Sequence, residues 1–431
     1  MQAWRDYVRE HTTSAAKAVE HVQSGDRIAL AHACGEPRQL PIALVGRANS
    51  LRDVEIVHMI ALGRAPYCQS GYEGSFRHVS LFAGPGSRDA IREGRADFLP
   101  VFFGQIPHLL TSYLPVDVAM VTVSPPDKAG WCSLGVSVDY TKPAVEQARL
   151  VLAEVNPSMP RTHGDSFVHV SQIDWFIPVD EPILELPPAP LGEVDRAIGK
   201  HVASLVDDES CLQLGIGGIP DAVLANLHGH KDLGIHSEMI SDGVIDLVEA
   251  GVVTCRKKTL HRGKMVLTLL MGSRRLYDWV DDNPFIEMHT VDYVNNPYVI
   301  ARNRKMVSIN SALEVDLLGQ VSADTLGAMQ YSGIGGQVDF VRGASLAEGG
   351  KAIIALPSTA KGGSVSRIVA MLAPGSAVTT SRQDVDYIIT EHGVAHLKGS
   401  TVRQRIQALV SIAAPVFREE LERKAHEIYW G

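Results

Sequence analysis

Runs of consecutive apolar residues alternate along this chain with stretches whose apolar positions recur every three to four residues, a pattern that predicts buried strands separated by helices. Residues Thr12 to Gln23 read as an amphipathic helix capped by Thr12 or Thr13, and Ser24-Gly25-Asp26 as a turn. A strand from Arg27 to Ala31 then leads through the turn HACGEP into a helix at Gln39 to Arg47 and a second strand at Val54 to Met59. The same order of parts returns about 180 residues later. There the strand Cys211 to Leu214, the turn GIGGIP, a helix opened by Pro220-Asp221 and the apolar run Leu233 to Ile235 follow one another. Gly35-Glu36-Pro37 occupies the place of Gly218-Ile219-Pro220, so the chain reads as a duplicated α/β unit.

Between the copies, Leu99 to Phe103, Val116 to Val123 and Leu150 to Val155 predict buried strands, with helices at Ser87 to Glu93 and Lys142 to Arg149. The segment Pro178 to Gly192, PVDEPILELPPAPLG, is rich in proline, which favours an extended chain and cannot join a sheet centrally. It is read as the linker, giving an N-terminal domain of 1–184 and a C-terminal domain of 185–431. The second half continues with a helix at Glu193 to Val206 and strands at Lys264 to Met271, Lys351 to Leu356 and Asp386 to Thr390. It closes with helices at Thr401 to Ser411 and Pro415 to Tyr429. Strands alternating with helices predict parallel sheets flanked by helices in both halves.

Composition narrows the function more than the fold. With 40 Lys+Arg against 49 Asp+Glu the formal charge is -9, and no basic stripe or block occurs, which argues against nucleic acid or an anionic membrane surface as partner. A metabolite-sized ligand fits better. No apolar window reaches the length of a membrane span, and the charged N-terminus lacks a signal peptide's apolar core, so a cytoplasmic location is expected. Cys34, Cys68, Cys132, Cys211 and Cys255 are scattered, without a C-x-x-C pair, and read as reduced packing residues rather than disulfides or zinc ligands.

In an open α/β sheet the carboxyl ends of strands face the ligand crevice, which directs attention to Glu238 in the segment HSEM just past Ile235. The preceding glycines, Gly215, Gly217 and Gly218, fail the dinucleotide pattern because Pro220 stands where a small residue is needed. His236 and Glu238 resemble the H-x-E of zinc deaminases, but no P-C-x-x-C follows, and His228, His230 and His236 are read as solvated or packing histidines, with no metal expected. A second cluster, Gly333 to Gly336, can aim backbone N–H groups at one point, as an oxyanion needs, or can be a plain tight turn before a strand. Glu391-His392 before Gly393 places a carboxylate and an imidazole at a predicted strand end. Lys361-Gly-Gly-Ser364 and Gly84-Pro-Gly-Ser87 are candidate anion sites beside helix starts, or turns only.

These stretches carry a resemblance. HACGEP, SLFAGPGSR, EGRADFLPVFF, SPPDKAGWCSLGVSVDYTK, MPRTHGDSFVHVS, GIGGIPDAV, LGIHSEM, SINSALEVDLLGQV, YSGIGGQVDFVRGA and TEHGVAHLKGSTVRQR together resemble the acetyl-CoA hydrolase/transferase family. Within that family the chain is similar to the 4-hydroxybutyrate and butyrate CoA-transferases. The resemblance spans about His32 to Glu420 and implies two homologous open α/β domains of the CoA-transferase (NagB/RpiA-like) type. It implies Glu238 as a nucleophile, the backbone amides of Gly335 and Gly336 as the oxyanion loop, Asn310 lining the same pocket and Glu391 as a further active-site carboxylate. Gly217, Gly218, Lys361 and His392 are the candidates for CoA or substrate binding. The chain departs from the family's pattern at His392 and at Ala414.

What the resemblance implies chemically is transfer of CoA between short-chain carboxylates of the 4-hydroxybutyrate, butyrate or acetate type, by ping-pong kinetics through a glutamyl-CoA thioester. His392 and the arginines Arg38, Arg64 and Arg77 leave room for a dicarboxylate such as succinate or itaconate, whose distal carboxylate would want a fixed cation. Coenzyme A enters as a substrate, with no permanently bound cofactor, and a homodimer or homotetramer is expected. Glu238 must be ionised to attack, which calls for hydrogen bonds from Ser237 or a backbone N–H. The alternatives are an acyl-CoA hydrolase on the same residues, should water reach the thioester, and a non-catalytic metabolite sensor.

Overall fold

The computed structural model describes residues 3–188 and 190–430, so Ala189 of the expected linker lies outside the described residues. The chain divides into two compact units: Met1–Leu186 with Val266–Val294, and Pro187–Met265 with Asn295–Gly431. The first boundary falls two residues beyond the expected 184. The expected continuous C-terminal domain is interrupted, because the segment Val266–Val294 returns to the first unit.

The first unit is built on strands β1 (Arg27–Leu30), β2 (Val54–His58), β3 (Phe76–Ser80), β4 (Ala96–Phe98), β5 (Val118–Val123), β6 (Leu150–Val155) and β7 (Trp175–Pro178). They form one parallel sheet in the order β4-β3-β2-β1-β5-β6-β7. Every residue of β5 is buried, as expected of a central parallel strand covered on both faces. Helix α1 (Gln39–Val45) follows β1. Its free N–H groups are met from the sheet: the Glu154 carboxylate on β6 accepts the amides of Arg38 at 2.9 Å and of Gln39 and Leu40 at 2.7 Å. The returning segment is stitched in by backbone bonds, Val138 N to Thr268 O at 3.1 Å, Leu270 N to Val136 O at 2.8 Å and Asp165 N to Met288 O at 2.7 Å.

The second unit repeats the plan on strands β8 (Cys211–Leu214), β9 (Gly234–Ile235), β10 (Met306–Ser311), β11 (Lys351–Ala355), β12 (Tyr387–Thr390) and β13 (Gly393–His396). Their order is β9-β8-β10-β11-β12-β13, parallel except for the β12–β13 hairpin at one edge. Helices α2 (Glu193–Ala203) and α3 (Gly218–Ala225) pack closely at Gly199, where an added Cβ would stand 2.6 Å from the backbone of Ala222. Further helices are α4 (Pro297–Ile300), α5 (Gln337–Leu346), α6 (Val402–Ile412) and α7 (Pro415–Tyr429). In each unit the first strand has its second on one side and a later strand on the other.

Three local expectations change. Thr12 to Gln23 is a short α-turn at Ala15–Ala18 followed by a 3-10 turn at Val19–His21, with a helix Ala3–Glu10 before it. The strand expected at Leu99 to Phe103 lies earlier, at β4, and Pro100, which has no N–H to donate, follows its end. The apolar run Lys264 to Met271 contributes only Met265–Leu267 as strand, in a two-stranded ladder with Ile286–Met288.

Candidate active site

In the second unit the strand order reverses between β8 and β10, and a crevice at such a switch point is where open α/β sheets take ligands. Gln213 on β8 and Asn310 on β10 stand on its two sides. Asn310 Nδ2 donates to Gln213 Oε1 at 3.2 Å, Gln213 Nε2 lies 3.4 Å from Asn310 Oδ1, and the Ile309 amide donates to Gln213 Oε1 at 3.1 Å. The Asn310 side chain is therefore held by a reciprocal amide pair at the carboxyl end of its strand.

Glu238 follows β9. The segment 236–239 is tied along the end of β8, with His236 N donating to Leu212 O at 3.1 Å and Ser237 Oγ lying 3.2 Å from Leu214 N and 3.1 Å from Leu214 O. The Ser237 hydroxyl thus serves the Leu214 backbone, and the hydrogen bond to the Glu238 carboxylate comes from elsewhere: Asn295 Nδ2 donates to Oε2 at 2.9 Å. Glu238 is half-buried and Asn295 fully buried.

The second glycine cluster runs into a helix rather than a strand. Gly335 has φ of 54°, in the left-handed region, and Gly336 caps α5. Gly336 lies against the Glu238 carboxylate and the Asn295 amide so closely that no Cβ fits between them. The N-terminal end of α5 therefore lies beside this carboxylate.

Glu391 follows β12. Its carboxylate accepts the Ser358 amide at 2.8 Å and the Ser358 hydroxyl at 2.6 Å, and His392 Nε2 lies 3.6 Å from Oε1. Gly217 has φ of 107° and is the residue that caps α3, whereas at Gly218 an added Cβ would stand 3.0 Å from the Asp195 side chain. In the first turn of α3, burial pushes the Asp221 carboxyl above its ordinary range, partly offset by the Ser241 hydroxyl 2.8 Å away. Two acids beside this helix start disfavour a bound phosphate there. Lys361 sits at the exposed tip of a hairpin between Thr359–Ala360 and Val365–Ser366.

The structure thus joins Glu238 with Gly336 and Asn295, Glu391 with His392 and Ser358, and Asn310 with Gln213. All three groups lie at carboxyl ends of strands in one sheet. Asn295, Ser358 and Gln213 were not singled out from the sequence. Gln213, a polar residue inside the apolar strand CLQL, was the one visible signal. Asn295 is masked by Asn296-Pro297, an ordinary helix start in which the Asn296 side chain accepts the Tyr298 amide at 2.9 Å.

The first unit holds a separate cleft of about 470 Å³, lined among others by Glu36, Arg38, His58, Arg64, Tyr67 and Leu184. The Glu36 carboxylate accepts the amides of Gly63 at 2.6 Å and Leu62 at 3.0 Å, yet burial pushes its pKa up to about 7. Burial also drives His58 well below its usual range, and its Nδ1 shares a 2.7 Å hydrogen bond with the Tyr67 hydroxyl. Arg38 pairs with Glu181 at 3.2 Å and Arg77 with Asp97 at 2.5 Å.

Residues 2–186 match the acetyl-CoA hydrolase/transferase N-terminal domain and residues 272–425 its C-terminal domain. The chain belongs to the acetyl-CoA hydrolase/transferase family. It is 57% identical to 4-hydroxybutyrate coenzyme A transferase of Clostridium kluyveri, over 97% of this chain and 98% of that one. It is 46% identical to succinyl-CoA:cyclohexane-1-carboxylate CoA transferase of Geobacter metallireducens, over 99% and 98% of the two chains. The crystal structure of RipA from Yersinia pestis superposes with a TM-score of 0.95 at 36% identity, covering 99% of each chain. Membership in the acetyl-CoA hydrolase/transferase family, with relatives of this identity, makes the chain an enzyme of the CoA-transferase type. Among the described residues no helix is long and apolar enough to cross a membrane, and the five cysteines are free and buried.

Proposed function

We propose that the enzyme moves CoA between short-chain monocarboxylates of the 4-hydroxybutyrate, butyrate and acetate type, with Glu238 as a covalent nucleophile. The observation that carries this reading is the Glu238 carboxylate fixed between the Asn295 amide and Gly336 at the carboxyl edge of the sheet. Exchange of CoA between carboxylates is close to thermoneutral, so the obstacle is kinetic. Glu238 attacks the thioester carbonyl, a mixed anhydride forms as CoA leaves, and the thiolate then attacks the glutamyl carbonyl to give a glutamyl-CoA thioester and the free acid. The second acid reverses the sequence.

Each addition places charge on an oxygen, which N–H donors of the 335–336 turn are suited to receive. Asn310 and Glu391, held by Gln213 and Ser358, supply fixed polar walls at the ends of β10 and β12, the strands that flank β11. Remote contacts to the long CoA moiety can be used to orient the reacting groups. The 57% identity to a 4-hydroxybutyrate enzyme supports a monocarboxylate. Among the cations considered for a dicarboxylate, Arg77 is engaged with Asp97 and Arg38 with Glu181.

The test mixes the protein with butyryl-CoA, without and then with acetate, while following free CoA and acetyl-CoA. Acetyl-CoA formed only with acetate, and none with Glu238→Ala, is expected. Equal CoA release without acetate would instead make the enzyme a hydrolase, and full exchange by Glu238→Ala would remove the nucleophile.

A further inference from the structure

Glu238 stands three residues beyond Ile235, the last residue of an edge strand that is only two residues long. We propose that Lys258 is a positioning residue for Glu238, its buried ammonium holding the outer edge of β9 and so setting the place of the nucleophile. This inference rests on Glu238 being the nucleophile of the proposed exchange.

The inner edge of β9 is secured by β8 and the turn before it, with Gly234 N donating to Ser210 O at 2.9 Å and His236 N to Leu212 O at 3.1 Å. On the outer edge, Leu233 N donates to Val252 O at 2.9 Å, and Leu233 O accepts the amides of Thr254 and Cys255, each at 3.0 Å. Two residues further along the same edge, the Ile235 carbonyl accepts from Lys258 Nζ at 2.8 Å. The same ammonium donates to Lys264 O at 2.8 Å, which ties the loop 255–264 to the strand. A side chain here takes the part that the backbone of a further strand would play.

Lys258 is buried, and lysine is among the residues least often found inside a protein. Taking an ammonium out of water is costly, so an apolar side chain would serve better if filling space were all that the position required. Room for the lysine stem is left by a glycine: a Cβ at Gly234 would stand 2.4 Å from Lys258 Cγ and 3.0 Å from Cδ. Strand and lysine are thus fitted to each other at the residue before Ile235.

Position matters because Glu238 has little latitude. Its carboxylate lies 2.9 Å from the Asn295 amide and against the Gly336 backbone, where no Cβ fits. Three extended residues span at most about 11 Å, so few bonds separate the Ile235 carbonyl from the nucleophile. With β8 on one side and Lys258 on the other, the strand end that carries Glu238 is clamped across its width.

The experiment uses the full chain, well below its melting temperature, in steady-state butyryl-CoA:acetate exchange and in rapid-quench single turnovers that read the Glu238–CoA adduct by intact mass. Lys258→Met keeps a stem over Gly234 and removes the ammonium. Its kcat and the rate constant of adduct formation are expected to fall together by about 10²-fold, as for a misplacement of about 1 Å, with KM for butyryl-CoA little changed. Lys258→Arg retains a cation and is expected to recover part of the loss. Gly234→Ala, which displaces the stem and leaves the charge, is expected to repeat the kcat defect, and it decides the matter should Lys258→Met not fold. A merely structural role would reduce the amplitude of the adduct, which counts folded molecules, and leave its rate constant at the wild-type value; that outcome would overturn the assignment while leaving Glu238 as nucleophile. So would a Lys258→Arg protein no more active than Lys258→Met, or wild-type kcat in Gly234→Ala. Absence of any Glu238 adduct in the wild-type protein would overturn the nucleophile and this assignment together.

Discussion

Gly336→Ala adds one methyl group at the most constrained point of the site. The backbone there, at φ −93° and ψ 7°, accepts alanine. The space does not: the new Cβ would stand 1.9 Å from Glu238 Oε2 and 3.2 Å from Glu238 Cδ, and it would also overlap the Asn295 Nδ2 amide, itself the end of a side chain. Ordinary contact is about 3.5 Å, so the carboxylate oxygen must withdraw by roughly 1.6 Å (3.5 − 1.9). It can do so, because it is the end of a rotatable side chain. The fold should survive, with the loss of glycine's freedom in the unfolded chain offsetting part of the clash by about 0.4–1 kcal/mol. At roughly 2–4 °C per kcal/mol for a unit of this size, the melting temperature should stay within about 4 °C of the wild type. A misplacement of about 1 Å can cost 10²-fold in rate, so kcat for butyryl-CoA:acetate exchange should fall at least about 10²-fold. Exchange assays beside a thermal melt measure both quantities. Wild-type kcat in a normally folded Gly336→Ala protein would refute the reasoning, since Glu238 could not then need its present position.

Two further substitutions probe other carboxylates. Ser358→Ala removes a buried hydroxyl that donates to the Glu391 carboxylate at 2.6 Å, and urea titration should show a loss of about 1.5–3 kcal/mol, the usual worth of a hydrogen bond to a charged group. Glu36, in the cleft of the first unit, has its pKa raised from 4.5 to about 7. Its folded form holds the proton more tightly than the unfolded chain does, so the stability it contributes is fully present below pH 4.5 and is lost as pH rises through about 7. Across that window the wild type should therefore lose stability relative to Glu36→Gln, and denaturant midpoints that keep a constant difference would contradict the shift.

The strands that could be read from sequence are those whose physical signal is local. Val118 to Val123 and Leu150 to Val155 are apolar except for Thr122 and Glu154, because both faces of a central parallel strand are covered. The place of Glu238 just past a strand end was legible from the apolar run before it, and the turn at Gly335 from its run of glycines. The destination of Lys264 to Met271 was not legible, since an apolar run announces burial without saying in which unit. Asn295 was hidden for a related reason: its partner Glu238 is 57 residues away, and its neighbours spell a helix start. Lys361, next to glycines in a motif-like string, lies instead on an exposed hairpin.

The return of Val266–Val294 to the first unit also bears on how the polypeptide is made. The sheet's last strand, Trp175–Pro178, leaves the ribosome 116 residues (294 − 178) before the segment that completes its unit. At about 5–20 residues per second that is a wait of roughly 6–23 s. During it Val136 and Val138, buried in the finished protein, lack the strand and loop that cover them. The nascent chain must hold an unfinished apolar face through the synthesis of the Glu238 segment. A gene split at residue 186 would yield two fragments, the second carrying 29 residues (266–294) that belong to the first, so the first unit could be completed only by a segment from the other fragment.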